Sequence, residues 1–181
     1  MSQRRTMILD AAVRVLGQAG PRGLTHRAVD REVGLPEGST SNFFPRRQEL
    51  LEAITAHLAQ TAGDRWQELW SEQEPATARE LATFFAGYVR ACAEPALADM
   101  VRARLYLHLE APDAIAAANR QVTDEVAERV AAAGADPAQT EVMLSIVDGL
   151  LLRAVSFGLG ALPNQATMVR SFVRVLHAHD A

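Results

Sequence analysis

Arginine side chains near the amino terminus form a pattern that suits contact with a polyanion. Residues 1–50 contain eight arginines and five acidic residues, whereas residues 51–181 contain ten arginines and seventeen acidic residues. The arginine guanidinium donates hydrogen bonds in a planar fork that matches phosphate oxygens. The formal net charge of −4 argues weakly against a nucleic-acid binder, but the chain combines a basic first segment with an acidic remainder.

Residues 25–44 add a helix, a glycine turn and a second helix to this charge. Thr25 is a favourable N-cap, and Gly34 suits the left-handed residue that ends a helix. Pro36 suits the first turn of the next helix, and Pro45 prevents that helix from continuing. This order is typical of a helix-turn-helix, whose second helix enters the major groove of DNA. The polar side chains that we expect to project from it are Glu37, Ser39, Thr40, Ser41 and Asn42.

Two of these side chains have the chemistry to recognise base edges. The amide of Asn42 can pair with adenine, and the carboxylate of Glu37 can accept a hydrogen bond from cytosine N4. The alternatives are a solvated Asn42 and a Glu37 that only stabilises its helix N-terminus. Candidates for phosphate contact, each of which could instead be an ordinary exposed charge, are Arg4, Arg5, His26, Arg27 and Arg46.

Several short motifs occur in a specific order over the first fifty residues. They are RTMILDAA at 5–12, Gly20, Thr25, Val29, Gly34-Leu35, Gly38-Ser39, FFP at 43–45 and ELL at 49–51. This series resembles the N-terminal domain of tetracycline-repressor (TetR) family regulators. The resemblance implies a homodimer of about nine helices, with a variable effector pocket and a final helix pair that dimerises.

The resemblance also implies where the chain meets DNA. Phosphate contacts are implied at Thr25, at the third helix and at Arg47. The third helix includes Gly38 and Phe43. At the position of Arg47, relatives commonly carry lysine. Ser41 departs from the family, because many relatives have a tyrosine at this position that reaches a phosphate or a base. The shorter serine side chain reaches less far.

Apolar residues recur with a helical period along the whole chain, which predicts an all-α fold. The predicted helices lie at about 4–19, 25–33, 36–44, 46–74, 77–92, 95–109, 112–134 and 136–160, with a ninth after residue 164. We expect residues 1–47 to form a DNA-binding domain. Residues 48–181 then form an effector-binding and dimerisation domain.

No motif in the sequence indicates catalysis or metal binding. There is no phosphate loop, nucleophile motif or metal-ligand spacing, so we expect no catalytic residue, no metal and no cofactor. The single cysteine, Cys92, excludes an internal disulfide and suits a cytoplasmic protein. Asp148 and Arg153 interrupt the apolar stretch 142–163, which we therefore interpret as a buried helix and not as a membrane span.

Aromatic, methionine and polar residues on the inward faces of predicted helices four to eight could line an effector pocket. Core packing is the alternative for each of them. Arg104 lies on an otherwise apolar helix, which suits either an acidic ligand or an interhelical ion pair. The pocket candidates are Trp66, Trp70, Phe84, Phe85, Tyr88, Cys92, Met100, Arg104, Tyr106, His108, Met143 and Phe157.

The eighth predicted helix is apolar nearly all round, which favours burial against a second subunit. The interface candidates are Leu144, Val147, Leu151, Ala154 and Val155, with Met168 and Phe172 of the ninth helix. A two-fold dimer would present two recognition helices to a palindromic duplex operator. We therefore expect a regulator, most simply a repressor, that a small-molecule effector releases from DNA. The alternative is an all-α carrier or enzyme whose N-terminal segment only packs.

Overall fold

The computed structural model describes residues 3–132 and 135–176, and these residues form an all-α fold, as predicted. They contain nine α-helices, a 3-10 turn at Leu159–Ala161 and no strand. None of these helices is both long enough and apolar enough to span a membrane. The helices are α1 (Gln3–Gly23), α2 (His26–Val33), α3 (Ser39–Phe43), α4 (Arg47–Gln73), α5 (Ala78–Cys92), α6 (Pro95–Glu110), α7 (Pro112–Ala132), α8 (Pro137–Phe157) and α9 (Gln165–Leu176).

Capping side chains set several helix ends where the sequence predicts them. The Thr25 hydroxyl accepts a hydrogen bond from the Ala28 amide at 3.1 Å, and Gly34 ends α2 with a φ of 72°. Thr77 and Glu80 form the capping box that begins α5. Short polar side chains therefore satisfy amide groups that have no acceptor within their own helix.

One predicted helix end is confirmed and one predicted start is wrong. The helical backbone of α1 is interrupted at Gly20, where φ is 68° and ψ is −176°, as the breaker residues predict, and a short helical segment then continues to Gly23. α3 begins at Ser39 and not at Pro36, because Gly38 takes a left-handed φ of 93° and interrupts the helix. The predicted end of the seventh helix, Gly134, lies outside the described residues.

The chain divides into two compact units that combine segments distant in sequence. Unit 1 contains the residues up to Gly63 together with Ala98–Arg120, and unit 2 contains Asp64–Leu97 and the residues from Gln121 onward. Ala103, Leu107 and Ile115 are buried in the same core as the apolar residues of α1 and the first part of α4. The predicted boundary between residues 47 and 48 separates a DNA-binding role from an effector-binding role, and it stays a prediction. The packing units are divided at other residues.

In unit 1, α1 and α6 approach each other backbone to backbone at Gly17. A Cβ atom built on Gly17 would lie 2.2 Å from the carbonyl oxygen of Asp99, so only glycine fits. Gln18 Nε2 donates to the Asp99 carboxylate at 2.6 Å. Arg102 donates to the Gly17 carbonyl at 3.2 Å and to Asp99 at 2.6 Å. These bonds hold this part of α6 against α1.

Candidate nucleic-acid interface

A buried carboxylate joins α2 to α3. Asp30 is 2% exposed and accepts hydrogen bonds from the Gly38 amide at 2.8 Å, the Thr40 amide at 2.7 Å and the Thr40 hydroxyl at 2.6 Å. Burial alone would raise the pKa of Asp30, but the bonds from Thr40 and Gly38 and the nearby His26 together lower it. An ionised side chain on α2 therefore holds the turn and the start of α3 in place through hydrogen bonds.

The exposed polar face of this motif consists of three side chains. Asn42 and Glu37 are exposed, and Ser41 is half-buried. The Ser41 hydroxyl donates to the Gly38 carbonyl at 2.9 Å. Phe43 follows on the same short helix and is 38% exposed. These four side chains are available for contact with a partner.

The expectation that Ser39 and Thr40 project outward is wrong, because both side chains are buried. The Ser39 hydroxyl donates to the Pro36 carbonyl at 2.7 Å, and Thr40 binds Asp30. Short hydroxyl side chains next to a helix start often bond to local groups instead of to solvent. Both residues stabilise the turn that positions α3.

The predicted phosphate ligands differ in how exposed they are. The side chains of Arg27 and Arg46 are 78% and 82% exposed. Arg27 pairs with Glu37, and Arg46 lies 3.9 Å from Glu49. Exposed pairs of this kind contribute little to stability, so both guanidinium groups can change partner at low cost.

The other candidates for phosphate contact, Arg4, Arg5 and His26, each lie close to another residue of unit 1. Arg4 is exposed, with a guanidinium nitrogen 3.5 Å from the Ser39 hydroxyl. The Arg5 guanidinium lies 5.1 Å from the centre of the Phe44 ring, which is a cation–π arrangement. His26 Nε2 lies 2.7 Å from the Phe44 carbonyl oxygen. Their roles in DNA binding stay predictions.

Arg47 has intramolecular partners that the sequence does not predict. Its guanidinium donates to the carbonyl oxygen of Leu24 and, at 2.8 Å, to that of Pro21. It also lies 3.8 Å from the Glu110 carboxylate. A phosphate contact would compete with these three acceptors, so the contact implied for Arg47 also stays a prediction.

Five of the predicted pocket residues form an aromatic cluster in unit 2. We define the aromatic cluster as Trp66, Trp70, Phe84, Phe85 and Tyr88. The Trp66 ring centre lies 4.7 Å from that of Phe84, 5.5 Å from those of Trp70 and Phe85, and 5.7 Å from that of Tyr88. The indole N–H of Trp66 is buried and has no hydrogen-bond acceptor among the described residues. Cys92 and Met143 are buried in the same unit.

The remaining pocket candidates do not all face inward. Met100 and Tyr106 pack against the core of unit 1, and Arg104 is half-buried. The inward assignment is wrong for His108 and Phe157. His108 is exposed, with Nδ1 2.9 Å from the Arg104 carbonyl oxygen. Phe157 is 73% exposed, because it ends α8 and turns toward Arg153.

Most of the predicted interface residues are buried inside a single chain. Leu144 and Val155 are half-buried. Val147, Leu151, Ala154, Met168 and Phe172 are all at most 7% exposed. These five side chains are therefore covered within one chain, where α8 packs against α5 and α9, and their assignment to a dimer interface stays a prediction. The exposed apolar residues of α8 are Val142, Leu152 and Phe157.

A comparison with protein families agrees with the geometry of α2 and α3. The profile described as "Bacterial regulatory proteins, tetR family" matches residues 8–54, which include both helices and the start of α4. Residues 8–54 therefore match the DNA-binding domain of tetR-family bacterial regulatory proteins. The chain is a DNA-binding transcriptional regulator, and the role of α3 as its recognition helix stays a prediction.

Solved structures with the TetR fold cover nearly all of this chain. The multidrug binding protein EbrR, complexed with imidazole, is 26% identical over 97% of this chain and 96% of its own, with a TM-score of 0.68. A TetR-family member from Streptomyces coelicolor A3 is 24% identical over 96% of this chain and 98% of its own, with a TM-score of 0.72. EbrR was also solved with malachite green, ethidium and proflavin. No curated protein matches the chain in sequence.

Proposed function

We propose that this TetR-family regulator is a homodimeric repressor that occupies a palindromic operator and leaves it when a small aromatic molecule binds. The observation that carries the proposal is the exposed polar face of α3 and its turn, formed by Glu37, Ser41 and Asn42 beside exposed arginines. The chain then acts in the cytoplasm, where its operator lies. We assign it no catalytic activity.

Phosphate binding by the exposed arginines is the first point to test. Replacing one phosphate ligand reduces the slope of log affinity against log salt concentration by about one. We expect this result for Arg46→Ala in fluorescence-anisotropy titrations of a labelled duplex. Arg65→Ala is the matched control, because Arg65 is exposed in unit 2 and pairs with a glutamate three residues later, as Arg46 does.

The two variants separate the proposal from its rival. Equal slopes for the Arg46 and Arg65 variants would refute the phosphate contact of Arg46. An unmodified chain that shows no salt-dependent duplex binding would support the carrier or enzyme alternative.

The exposed apolar side of α8 supports the proposed homodimer. Val142, Leu152 and Phe157 are 52%, 49% and 73% exposed, and exposed apolar groups on one helix favour association. Leu152→Glu should convert the dimer to a monomer in light-scattering measurements. Leu109→Glu is the control, because Leu109 is 82% exposed on α6. A monomeric native chain would refute the dimer.

The aromatic cluster is the proposed effector site. A buried N–H group without an acceptor is unfavourable by about 1–3 kcal/mol, and an effector acceptor beside Trp66 would remove that penalty. Residues 51–181 contain seventeen acidic residues and ten arginines, which favours a cation, and aromatic faces attract cations. The dyes bound by EbrR have extended aromatic ring systems. We therefore propose a planar, aromatic, cationic effector that carries a hydrogen-bond acceptor.

Tryptophan fluorescence measures this binding directly. The chain has two tryptophans, and both belong to the aromatic cluster. Malachite green, ethidium and proflavin, titrated without DNA, should quench their emission. Trp66→Phe should weaken dye binding, because the Trp66 ring lies against the other four rings of the aromatic cluster. Native dye affinity in this variant would contradict the assignment, and failure of malachite green to release the duplex would exclude that dye as an effector.

A further inference from the structure

Asp30 is the only charged side chain that is buried among the described residues. It belongs to α2, but all three of its hydrogen-bond donors lie beyond the end of that helix. Oδ1 accepts from the amide and the hydroxyl of Thr40, and Oδ2 accepts from the amide of Gly38. A buried carboxylate without such donors would be strongly unfavourable. The structure of the turn therefore depends on these bonds.

The start of α3 lacks a capping side chain of its own. The helix has five residues, and its N-cap, Gly38, has no side chain that could accept a hydrogen bond. The first N–H groups of a helix have no acceptor within the helix. Asp30 supplies that acceptor from α2, so one helix caps the next. The direction of α3 is thereby tied to the position of a carboxylate on α2.

Packing alone does not require a charged group at this position. Val29 is buried in the core of unit 1, and Ala28 and Leu35 pack against that core, so α2 and its turn already have apolar contacts. Apolar contacts are non-directional, however, whereas hydrogen bonds weaken steeply when they are misaligned. Three bonds to two oxygens, with Thr40 fully buried, fix the rotation of α3 as well as its distance from α2.

We infer that Asp30 is a positioning residue for sequence selectivity, because its carboxylate fixes the angle at which Ser41 and Asn42 meet the base edges. The inference rests on the proposed operator binding. A contact between a side-chain amide and a base has strict geometry, whereas a long exposed arginine can follow a phosphate through a small rotation. Disrupting this bond network should therefore lower selectivity and leave general duplex affinity unchanged.

The first step of the test is to select bound duplexes from a random pool with the native chain. The preferred duplex and a scrambled duplex of equal length are then titrated with each variant. Asp30→Asn has the shape of the native residue but cannot accept all three bonds. We expect it to lower the ratio of the two affinities about tenfold or more, while the scrambled duplex keeps its affinity within about twofold and its salt slope unchanged.

Two further variants separate positioning from stability. Asp10→Asn is the matched control, because Asp10 is also in unit 1 and binds His57 Nε2 at 2.7 Å, away from α3. It should keep the native affinity ratio. Asp30→Ala with Thr40→Val removes the carboxylate and the hydroxyl together, so neither polar side chain is left buried without its partner, although the amides of Gly38 and Thr40 lose their acceptor. Thermal unfolding shows that this variant is folded before it is titrated. We expect its affinity ratio to remain low.

The outcomes distinguish this inference from the proposed function. Native selectivity in the Asp30→Asn chain, or in the folded double variant, would overturn the positioning role. A fall in the affinity for both duplexes by the same factor would show that Asp30 only stabilises the domain. A native chain that selects no sequence from the pool would refute the operator itself. If Asp30→Asn does not fold, the double variant decides the question.

Discussion

Replacing Gly17 with alanine should destabilise the chain, although alanine favours helices. The new Cβ would lie 2.2 Å from the Asp99 carbonyl oxygen, 2.7 Å from its carbonyl carbon and 2.7 Å from its Cα. These are backbone atoms, so α1 and α6 must separate by about 1 Å to relieve the overlap. Overpacking of this kind destabilises the folded state by about 1–3 kcal/mol. The higher helix propensity of alanine stabilises it by only about 1 kcal/mol. The bonds from Gln18 and Arg102 oppose the separation.

Gly87→Ala is the matched control for this substitution. Gly87 lies inside α5, and a Cβ there would meet no atom within 4 Å. This variant should gain the helix propensity without the overlap, so the difference between the two variants isolates the steric term of about 1–3 kcal/mol. Urea unfolding followed by far-ultraviolet circular dichroism measures both free energies of unfolding. A Gly17→Ala chain as stable as Gly87→Ala would refute the close approach of α1 and α6.

Three further predictions follow from single contacts. The pKa of Asp30 is lowered in the folded chain, so the ionised carboxylate stabilises the fold above the ordinary aspartate pKa. This stabilisation is lost as pH falls through the lowered pKa. In Asp30→Asn, the free energy of unfolding should therefore depend less on pH below about pH 4 than it does in the native chain. Thr77→Ala should destabilise the chain by about 1 kcal/mol in urea unfolding through loss of the α5 cap, whereas Thr83→Ala, in mid-helix, should change it little. Arg47→Lys should lower the melting temperature almost as much as Arg47→Ala, because an ammonium group does not reproduce the guanidinium fork that holds two carbonyl oxygens; full stability of the lysine variant would refute that role.

The sequence predicts the helices well because their signals are local. Thr25, Gly34, Thr77 and Asp136 each act within one turn of a helix end, and each end lies within a few residues of its predicted position. The error at the start of α3 arises because Gly38 shows where the backbone can turn left-handed but not whether the next helix begins before or after it.

The candidate site was less predictable, because side-chain direction depends on distant partners. Thr40 appears polar and exposed from its sequence neighbours, but it is buried because Asp30, ten residues earlier, binds it. Arg47 reaches carbonyl groups more than twenty residues away. On α8 the hydrophobic pattern predicts burial but not which apolar side faces its own chain. Val147 and Leu151 are predicted interface residues and are buried within one chain, whereas Val142 and Leu152 are exposed. An aspartate at position 30, within a predicted helix-turn-helix, is the one sequence signal for its hydrogen bonds to Gly38 and Thr40.

The division of unit 1 into two chain segments limits how DNA-binding modules can be exchanged between relatives. A fragment that ends at Gly63 would lack Ala103, Leu107 and Ile115, which complete its hydrophobic core, and would expose that core to solvent. A functional transplant must therefore also carry residues 98–120 from the same parent. In a head-to-body fusion at the end of the helix-turn-helix, residues 98–120 come from the other parent, so such hybrids should be less stable than two-segment grafts.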